Sequence, residues 1–204
     1  MQTVVEQQIV TEPDEVKLRI FDKAFELFLR YGFAKTRMEE IARTLRISRK
    51  TLYKYFANKH DLLMELMTHK HLRIHGKIEK IHADPDKSIK EKLQAMQECL
   101  SGEIPQGMNE FLRDIRNQVP DLWKIFAEQK EKNINRTMRK MIETGIKNGD
   151  IRPDVNPDIV LLIHAASTEA MFDPGFLAHT PYTIRDLVRE LDNIIFYGIV
   201  KREN

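Results

Sequence analysis

The stretch TRMEEIARTLRISRKTLYKYFANK, residues 36 to 59, predicts two short helices separated by a tight break. In its first half, apolar residues recur at the helical spacing i, i+3, i+4 and i+7: Met38, Ile41, Ala42 and Leu45. Thr36 with Glu39 three residues later has the pattern of a capping box, in which a hydroxyl and a carboxylate bind the free amides of a helix start. The first helix is therefore predicted to begin beside Thr36.

The second half of the stretch predicts a helix that Ser48 caps at its start. Leu52 and Phe56 are four residues apart and share the inward face of this helix. The residues on the opposite, exposed face are Lys50, Thr51, Tyr53 and Lys54. Two capped helices at this spacing, with cations and a tyrosine on the outer face, are typical of a helix-turn-helix that enters the major groove of DNA.

Charge supports this interpretation. Residues 34 to 59 contain eight Lys or Arg and two Glu, a local charge of +6, whereas the whole chain carries +2 and its remainder therefore −4. A cationic patch on an otherwise acidic protein indicates phosphate binding, because each neutralised phosphate releases a condensed counterion. The alternative, a solvated charged face, explains the charge but not the paired caps.

Different contacts are expected from different parts of this segment. Lys50 and Tyr53 lie near the start of the second helix, where side chains reach base edges, whereas Thr36 and Lys59 cap helices whose starts can meet phosphates. The complete set of predicted DNA-contact residues is Thr36, Arg37, Ser48, Arg49, Lys50, Thr51, Tyr53, Lys54, Tyr55 and Lys59.

The run ISRKTLYKYFANKHDLL, residues 47 to 63, resembles the recognition-helix signature of the TetR family of transcriptional repressors. The residues that fall on the pattern are Ser48, Thr51, Leu52, Tyr53, Tyr55, Phe56 and Lys59. The sequence differs at Lys50 and Tyr55, where the family often has Gly and His. The resemblance implies a homodimeric transcriptional repressor that binds double-stranded DNA. It also implies a second domain that binds a small lipophilic effector.

Helical patterns continue along the chain without sustained period-two alternation, so we expect an all-α fold. Further helices are predicted at about 15–31, 59–82, 86–100, 106–118, 121–148, 157–171 and 183–201. The expected organisation is a mobile arm at 1–13, a three-helix DNA-binding domain at 14–60, a connecting helix at 61–83 and an effector-binding and dimerisation domain at 84–204. Gly76 interrupts the connecting helix, either as a hinge or as a point of close backbone packing.

Methionine, aromatic and neighbouring residues of the second domain could line a cavity between helices, although most such residues are core. Because the family resemblance implies an effector site, we take the pocket candidates to be Met96, Cys99, Leu100, Phe111, Ile115, Trp123, Phe126, Met138, Met141, His164 and Met171.

Two helical patterns near the C-terminus are the most continuously apolar of the chain. A monomer could bury one such face, whereas two indicate an isologous four-helix interface, and the resemblance implies the same pair of helices. The predicted interface residues are Ile159, Leu162, Ile163, Ala166, Leu187, Leu191, Ile194 and Ile195.

Other residue patterns in the chain offer alternative functions. His71, His75 and Glu79 stand at i, i+4 and i+8 and could present metal ligands on one helix face, but lack a Cys or fixed fourth ligand, so we expect no metal and no cofactor. A catalytic site would need a nucleophile, a base and an acid, and no local signature supplies them. The alternative in another class is an effector-independent dimeric DNA-binding protein with an architectural or cell-division role.

Cysteine content and hydropathy predict the compartment. Cys99 is the only cysteine, which excludes a disulfide framework, and the N-terminus lacks the basic and apolar regions of a secretion signal. The longest apolar run, 159–163, is too short to cross a bilayer, so we expect a cytoplasmic protein with no membrane partner.

Overall fold

The computed structural model describes residues 13–173, 175–176 and 179–200, without the side chains of 129 and 130. The regular secondary structure of these residues is helical. The helices are α1 Glu15–Tyr31, α2 Met38–Thr44, α3 Arg49–Tyr55, α4 Lys59–Ala83, α5 Ile89–Glu103, α6 Met108–Gln118, α7 Pro120–Asn148, α8 Pro157–Met171 and α9 Ile184–Ile199. In the described ranges the extended pairing is confined to an isolated bridge between Ile151 and Val200. The prediction of an all-α fold is confirmed. The arm predicted at 1–13 lies almost wholly outside the described residues.

The chain divides into two compact units after Leu66, so that the first turns of α4 belong to the N-terminal unit and the rest to the C-terminal unit. This division falls inside α4, whereas the sequence boundaries placed it at the ends of that helix. The helix runs unbroken through Gly76, so the predicted interruption is wrong. A Cβ atom built on Gly76 would meet no described atom within 4 Å, which also rules out close packing there.

The N-terminal unit is built on α1, whose apolar stripe is buried at Ile20, Phe21, Ala24, Phe25, Leu27 and Phe28. Buried residues of α2, α3 and the start of α4 complete the core, among them Ile41, Leu52 and Leu62, each with 0% exposure. Helix α1 thus supports α2 and α3 from behind. Burial of this many large side chains, at roughly 1.5–3 kcal/mol each, fixes the angle at which α3 is presented.

The C-terminal unit has a core of buried side chains from α4, α5, α7, α8 and α9. Met141 and Ile142 of α7 lie at its centre. The chain leaves α7 at Gly149, whose φ of 82° suits glycine, and Ile151 then folds back onto the helix. A Cβ on Gly145 would stand 2.7 Å from Cδ1 of Ile151, so only glycine admits this close approach.

None of the helices in the described part of the chain combines the length and apolar character that a membrane crossing needs.

Candidate DNA interface and ligand cavity

The start of α2 differs from the predicted capping box. The helix begins at Met38, its N-cap is Arg37, and no side chain binds the free amides there. Thr36 is fully buried and its hydroxyl instead donates to the carbonyl oxygen of Gly32 at 2.8 Å, closing the loop that follows α1. The capping-box prediction is therefore wrong, because the hydroxyl faces the loop instead of the helix start. A buried Thr36 side chain also has no route to DNA.

Lys59 occupies the same loop from the other side. Its ammonium group donates to the carbonyl oxygens of Phe33 at 2.6 Å, Ala34 at 3.3 Å and Thr36 at 2.9 Å. The group also lies 4.3 Å from the ring centroid of Phe33, within the range of a cation–π contact. The side chain predicted to bind phosphate is thus engaged within the N-terminal unit, where it joins α4 to the loop before α2.

Helix α3 has the predicted cap, and Lys50, Tyr53 and Lys54 of its predicted exposed face are exposed, whereas Thr51 is half-buried. Oγ of Ser48 accepts a hydrogen bond from the Thr51 amide at 3.0 Å and lies 2.8 Å from the Thr51 hydroxyl. Leu52 is fully buried against the core. The exposed side chains of this helix are Arg49, Lys50, Tyr53 and Lys54. Four side chains of the predicted DNA-contact set therefore form one outward surface, of which Tyr53 is 45% exposed.

Arg49 adds a link between the two helices of the motif. One of its guanidinium nitrogens lies 3.8 Å from a carboxylate oxygen of Glu39 on α2, and its side chain remains 71% exposed. An ion pair this exposed contributes about 0–1 kcal/mol, so the guanidinium is available to a phosphate or a base.

The turn between α2 and α3 contains a residue in the left-handed conformation. Arg46 has φ of 56°, and within the described ranges every other residue with positive φ is a glycine. This conformation lets the amide of Ile47 reach the carbonyl oxygen of Ala42 at 3.0 Å, which ends α2 tightly. For a residue with a Cβ the left-handed region costs roughly 1–2 kcal/mol. The turn therefore retains an exposed cation at a position where glycine is less strained.

Tyr55 is oriented by the N-terminus of α1. Its hydroxyl donates to one carboxylate oxygen of Asp14 at 3.1 Å, while the other oxygen caps α1 by accepting from the amide of Lys17 at 2.7 Å. Partial desolvation, this hydrogen bond and the negative charge of Asp14 raise the pKa of Tyr55. The ring is half-buried, so it differs from the four exposed side chains of α3.

A cavity of about 550 Å³ lies in the C-terminal unit, between α7 and α8. Three aromatic rings form its apolar wall: the ring centroid of Trp123 lies 6.4 Å from that of Phe126 and 6.0 Å from that of Phe172. This volume is within the range of sites for drug-sized ligands, roughly 300–1,000 Å³.

The pocket candidates divide between this cavity and the core. Trp123, Phe126 and His164 line the cavity, whereas the remaining candidates do not. Those buried in the unit are Met96, Phe111, Ile115, Met138 and Met141. Those packed partly buried against its core are Cys99, Leu100 and Met171. These eight residues fill space between helices, and burial raises the pKa of the Cys99 thiol.

Further polar residues complete the cavity lining: Arg116, Lys124, Glu128, Glu131, Asn135, Thr168 and Glu169. Helical spacing offered a signal, because 123, 127, 131 and 134 recur at i, i+4, i+8 and i+11 and so share one face of α7. Oδ1 of Asn135 is buried and has no hydrogen-bond partner among the described residues. The wall therefore contains a buried, unpaired acceptor that is not exposed to the cavity.

Behind the cavity wall, His164 faces a buried carboxylate. Its Nε2 lies 4.0 Å from Oδ1 of Asp192 on α9, and the two residues are 8% and 5% exposed. Burial raises the pKa of Asp192 to about 7. The pair joins α8 to α9 inside the C-terminal unit.

Helix α4 is connected to the cavity through α7. The ring of His71 meets that of Phe126 edge-on, with centroids 6.2 Å apart, and its Nε2 lies 3.1 Å from Nδ2 of Asn133. One turn on, Nε2 of His75 lies 2.6 Å from the Thr137 hydroxyl. In the described residues no group of three or more His, Cys, Asp or Glu side chains is arranged to hold a metal. The histidines that suggested a metal site instead attach α4 to α7.

Helices α8 and α9 leave an apolar face exposed. The exposed fractions are 55% for Ile159, 70% for Leu162, 51% for Ile163, 66% for Ile194 and 74% for Tyr197. Ala166 and Gly198 are also exposed. Within the predicted interface set, Leu191 and Ile195 are instead 8% exposed in the core of their own unit, and Leu187 is half-buried. Their helix turns these side chains inward and Ile194 outward.

Known transcriptional regulators are similar to this chain in sequence and in fold. A family profile described as bacterial regulatory proteins, tetR family, matches residues 20–66. The HTH-type transcriptional regulator YvaF of Bacillus subtilis is 25% identical over 190 residues, covering 91% of this chain and 96% of YvaF.

Two solved structures share the fold. The regulator FadR from Bacillus subtilis, in complex with stearoyl-CoA, has a TM-score of 0.65 at 19% identity and covers 89% of this chain and 98% of its own. A transcriptional regulator from Saccharomonospora viridis, in complex with choline, has a TM-score of 0.66 at 22% identity and covers 92% of this chain and 99% of its own.

Proposed function

We propose that this chain, which belongs to the TetR family of DNA-binding transcriptional regulators, is a homodimeric repressor that a small ligand releases from DNA. The relatives are regulators and not enzymes. The observation that carries the proposal is the outward surface of α3, where Arg49, Lys50, Tyr53 and Lys54 project from a helix held rigidly by its cap and by buried Leu52.

On this proposal α3 enters the major groove, where some of its side chains contact bases and others contact phosphates. Lys50 and Tyr53 lie in the first two turns, where they can reach base edges, and we assign them to sequence reading. Arg37, Arg49 and Lys54 are exposed cations and are assigned mainly to phosphates. Thr36 and Lys59 are left out of the contact set because their side chains are bound within the N-terminal unit.

The exposed face of α8 and α9 supports the dimer. Solvent contact with large apolar side chains is unfavourable at about 25 cal/mol per Å², and two-fold pairing of this face would remove it. A second copy related by two-fold symmetry would then present a second α3 to an inverted half-site. The proposed interface residues are Ile159, Leu162, Ile163, Ala166, Ile194 and Tyr197.

The cavity favours a ligand-released repressor over an architectural protein with no effector. Its wall includes Phe126, which touches His71 of α4, and α4 is continuous with the first turns that belong to the N-terminal unit. A ligand that displaces the aromatic wall would therefore act on the helix that follows α3. Structures of the same fold with stearoyl-CoA and with choline are consistent with small ligands as effectors.

The DNA assignment is tested on duplexes that the protein itself selects from a random-sequence pool. We expect the selected sequences to contain inverted half-sites and to bind far more tightly than random DNA. Lys50→Ala should cost about 1–3 kcal/mol on the selected duplex and relax the preference at one base pair. Fluorescence anisotropy with labelled duplexes measures both effects.

Lys147→Ala is the matched control, because Lys147 is an exposed lysine at the end of α7 in the other unit. This variant should bind selected and random duplexes like the unaltered protein. Equal losses on both kinds of duplex for Lys50→Ala would remove that residue from sequence reading. Selected sequences without inverted symmetry would count against the dimeric repressor.

A further inference from the structure

The charged side chains around the cavity are unequal in number. Glu128, Glu131 and Glu169 line it, and none of the three has an ion pair among the described residues. The cationic residues in the lining are Arg116 and Lys124. Arg116 is already engaged: it donates to the Phe172 carbonyl oxygen at 2.8 Å and lies 3.6 Å from the carboxylate of Asp173.

His164 does not reverse this excess. It is the remaining residue of the lining that can become positive, and a charge on its ring would face the carboxylate of Asp192 at 4.0 Å. Among the lining residues whose side chains are described, Lys124 is then the cation left to oppose three carboxylates. The cavity therefore carries a net negative potential toward a bound molecule.

Neutral groups add hydrogen-bond acceptors on the same wall. The Thr168 hydroxyl donates to backbone carbonyls of α8, at 2.9 Å from the oxygens of both His164 and Ala165, so toward the cavity it can only accept. Oδ1 of Asn135 is also an acceptor, but it is fully buried in the wall. A ligand that carries an N–H donor would satisfy the Thr168 oxygen, whereas a carboxylate or phosphate would not.

The aromatic wall also favours a positively charged ligand. The faces of Trp123, Phe126 and Phe172 are electron-rich, and a cation within about 6 Å of a ring centroid is attracted by roughly 0.5–2 kcal/mol. Apolar residues such as Ile134 and Leu162 supply the remainder of the lining. Space for an apolar body thus adjoins acids and aromatic faces that suit an ammonium group.

We infer that the cavity binds a lipophilic organic cation, an amine with an apolar body whose ammonium group is held by Glu128, Glu131 and Glu169 beside the aromatic wall. This inference rests on the proposed ligand-regulated function and adds the chemical class of its ligand. Trp123 is the only tryptophan of the chain, so its fluorescence reports on the cavity directly.

The test compares decylamine, decanol and decanoate, which share one alkyl chain and differ in the charge of the head group. Each is titrated below its micellar concentration into the full-length protein without DNA, with Trp123 fluorescence and calorimetry as readouts. We expect decylamine to bind at least tenfold more tightly than the other two. Replacing Glu128, Glu131 and Glu169 together by Gln should abolish this preference and leave decanol binding unchanged.

Glu143→Gln is the control, because Glu143 is exposed on the same helix and lies outside the cavity. The inference is overturned if decanoate or decanol binds as tightly as decylamine, if none of the three binds, or if the triple variant keeps the preference. Adding labelled operator DNA separates the two proposals. Decylamine that binds without weakening DNA binding would overturn ligand release while the ligand class stands.

Discussion

The ammonium group of Lys59, at the first position of α4, lies 4.3 Å from the ring centroid of Phe33 and 2.6 Å from the carbonyl oxygen of that residue. This contact ties the start of α4 to the loop that precedes α2, and it gives Lys59 a role in stability. Lys59→Met keeps the apolar stem and removes the donors from three carbonyl oxygens. We expect thermal or denaturant unfolding to show a loss of about 1–3 kcal/mol.

Lys54 provides the contrast, since it is exposed at the end of α3. Lys54→Ala should leave the unfolding free energy unchanged and reduce the salt dependence of DNA binding by about one unit of slope. The assignment fails if Lys59→Met is as stable as the unaltered protein and shows the shallower salt slope instead.

Charge on the exposed face of α8 and α9 should prevent dimerisation without unfolding the chain. Leu162→Glu combined with Ile194→Glu places two carboxylates on side chains that are 70% and 66% exposed, so the monomer fold has no reason to change. Sedimentation should show monomers, and circular dichroism should remain helical. Ile125→Glu, on a residue that is 45% exposed on α7, should stay dimeric. A folded, dimeric Leu162→Glu/Ile194→Glu protein would exclude this face as the interface.

Gly76→Ala should stabilise the protein. The residue is inside α4, has helical backbone conformation and leaves open space where a Cβ would lie. Alanine loses less conformational freedom than glycine on helix formation, so we expect a gain of about 0.5–1 kcal/mol in unfolding experiments. Should the glycine act as a hinge, the same variant would also weaken the coupling between ligand and DNA. A loss of stability would show that another element contacts this position.

Gly145→Ala should have the opposite effect. The new methyl group would overlap Ile151, which is 2% exposed and has little room to move, at a cost of about 1–3 kcal/mol. Ile151→Ala removes Cδ1 and Cγ1, the two atoms that would lie within 3.0 Å of the new methyl group. The glycine substitution should therefore cost less in the Ile151→Ala protein than in the unaltered one, which a double-mutant cycle of unfolding free energies measures.

The buried carboxyl of Asp192 should make stability depend on pH. Its pKa in the folded protein is about 7, against an ordinary value of 3.8, because burial disfavours the charged form. Between these values the folded state binds more protons than the unfolded state, so stability falls as pH rises from about 4 to about 7. The loss is at most about 5 kcal/mol, since each pKa unit corresponds to about 1.4 kcal/mol. Asp192→Asn should flatten the dependence, and an unchanged slope would contradict the assignment.

Regular patterns in the sequence were sufficient for the helices and for the exposed face of α3. Ser48 caps its helix as predicted, because a cap depends on residues within one turn. The sequence predicts DNA contacts for Lys59 and Thr36 because it shows residue type and not the loop that turns back toward them. Lys59 binds backbone carbonyl oxygens that are 23 to 26 residues away in the sequence, and Thr36 also binds a backbone carbonyl oxygen. A backbone carbonyl is present in every residue and therefore gives no sequence signal.

The same limit applies in the C-terminal unit. The sequence of an apolar helix does not reveal which of its apolar faces packs against its own core. The sequence pattern therefore places Ile194 in one set with Leu191 and Ile195, although they face opposite ways. Trp123 and Phe126 were identified by type, whereas Glu131 and Asn135 required the position of α8 across the cavity. Residue type alone therefore identifies aromatic lining residues more readily than polar ones.

Leu162 and Ala166 belong both to the cavity lining and to the exposed apolar face. In the proposed dimer, a second copy would cover atoms that a ligand also touches, so ligand affinity becomes a function of protein concentration. Titrations at nanomolar and at micromolar protein would then give different dissociation constants for the same molecule. In a cell, the concentration of the regulator would then affect the ligand concentration at which it responds.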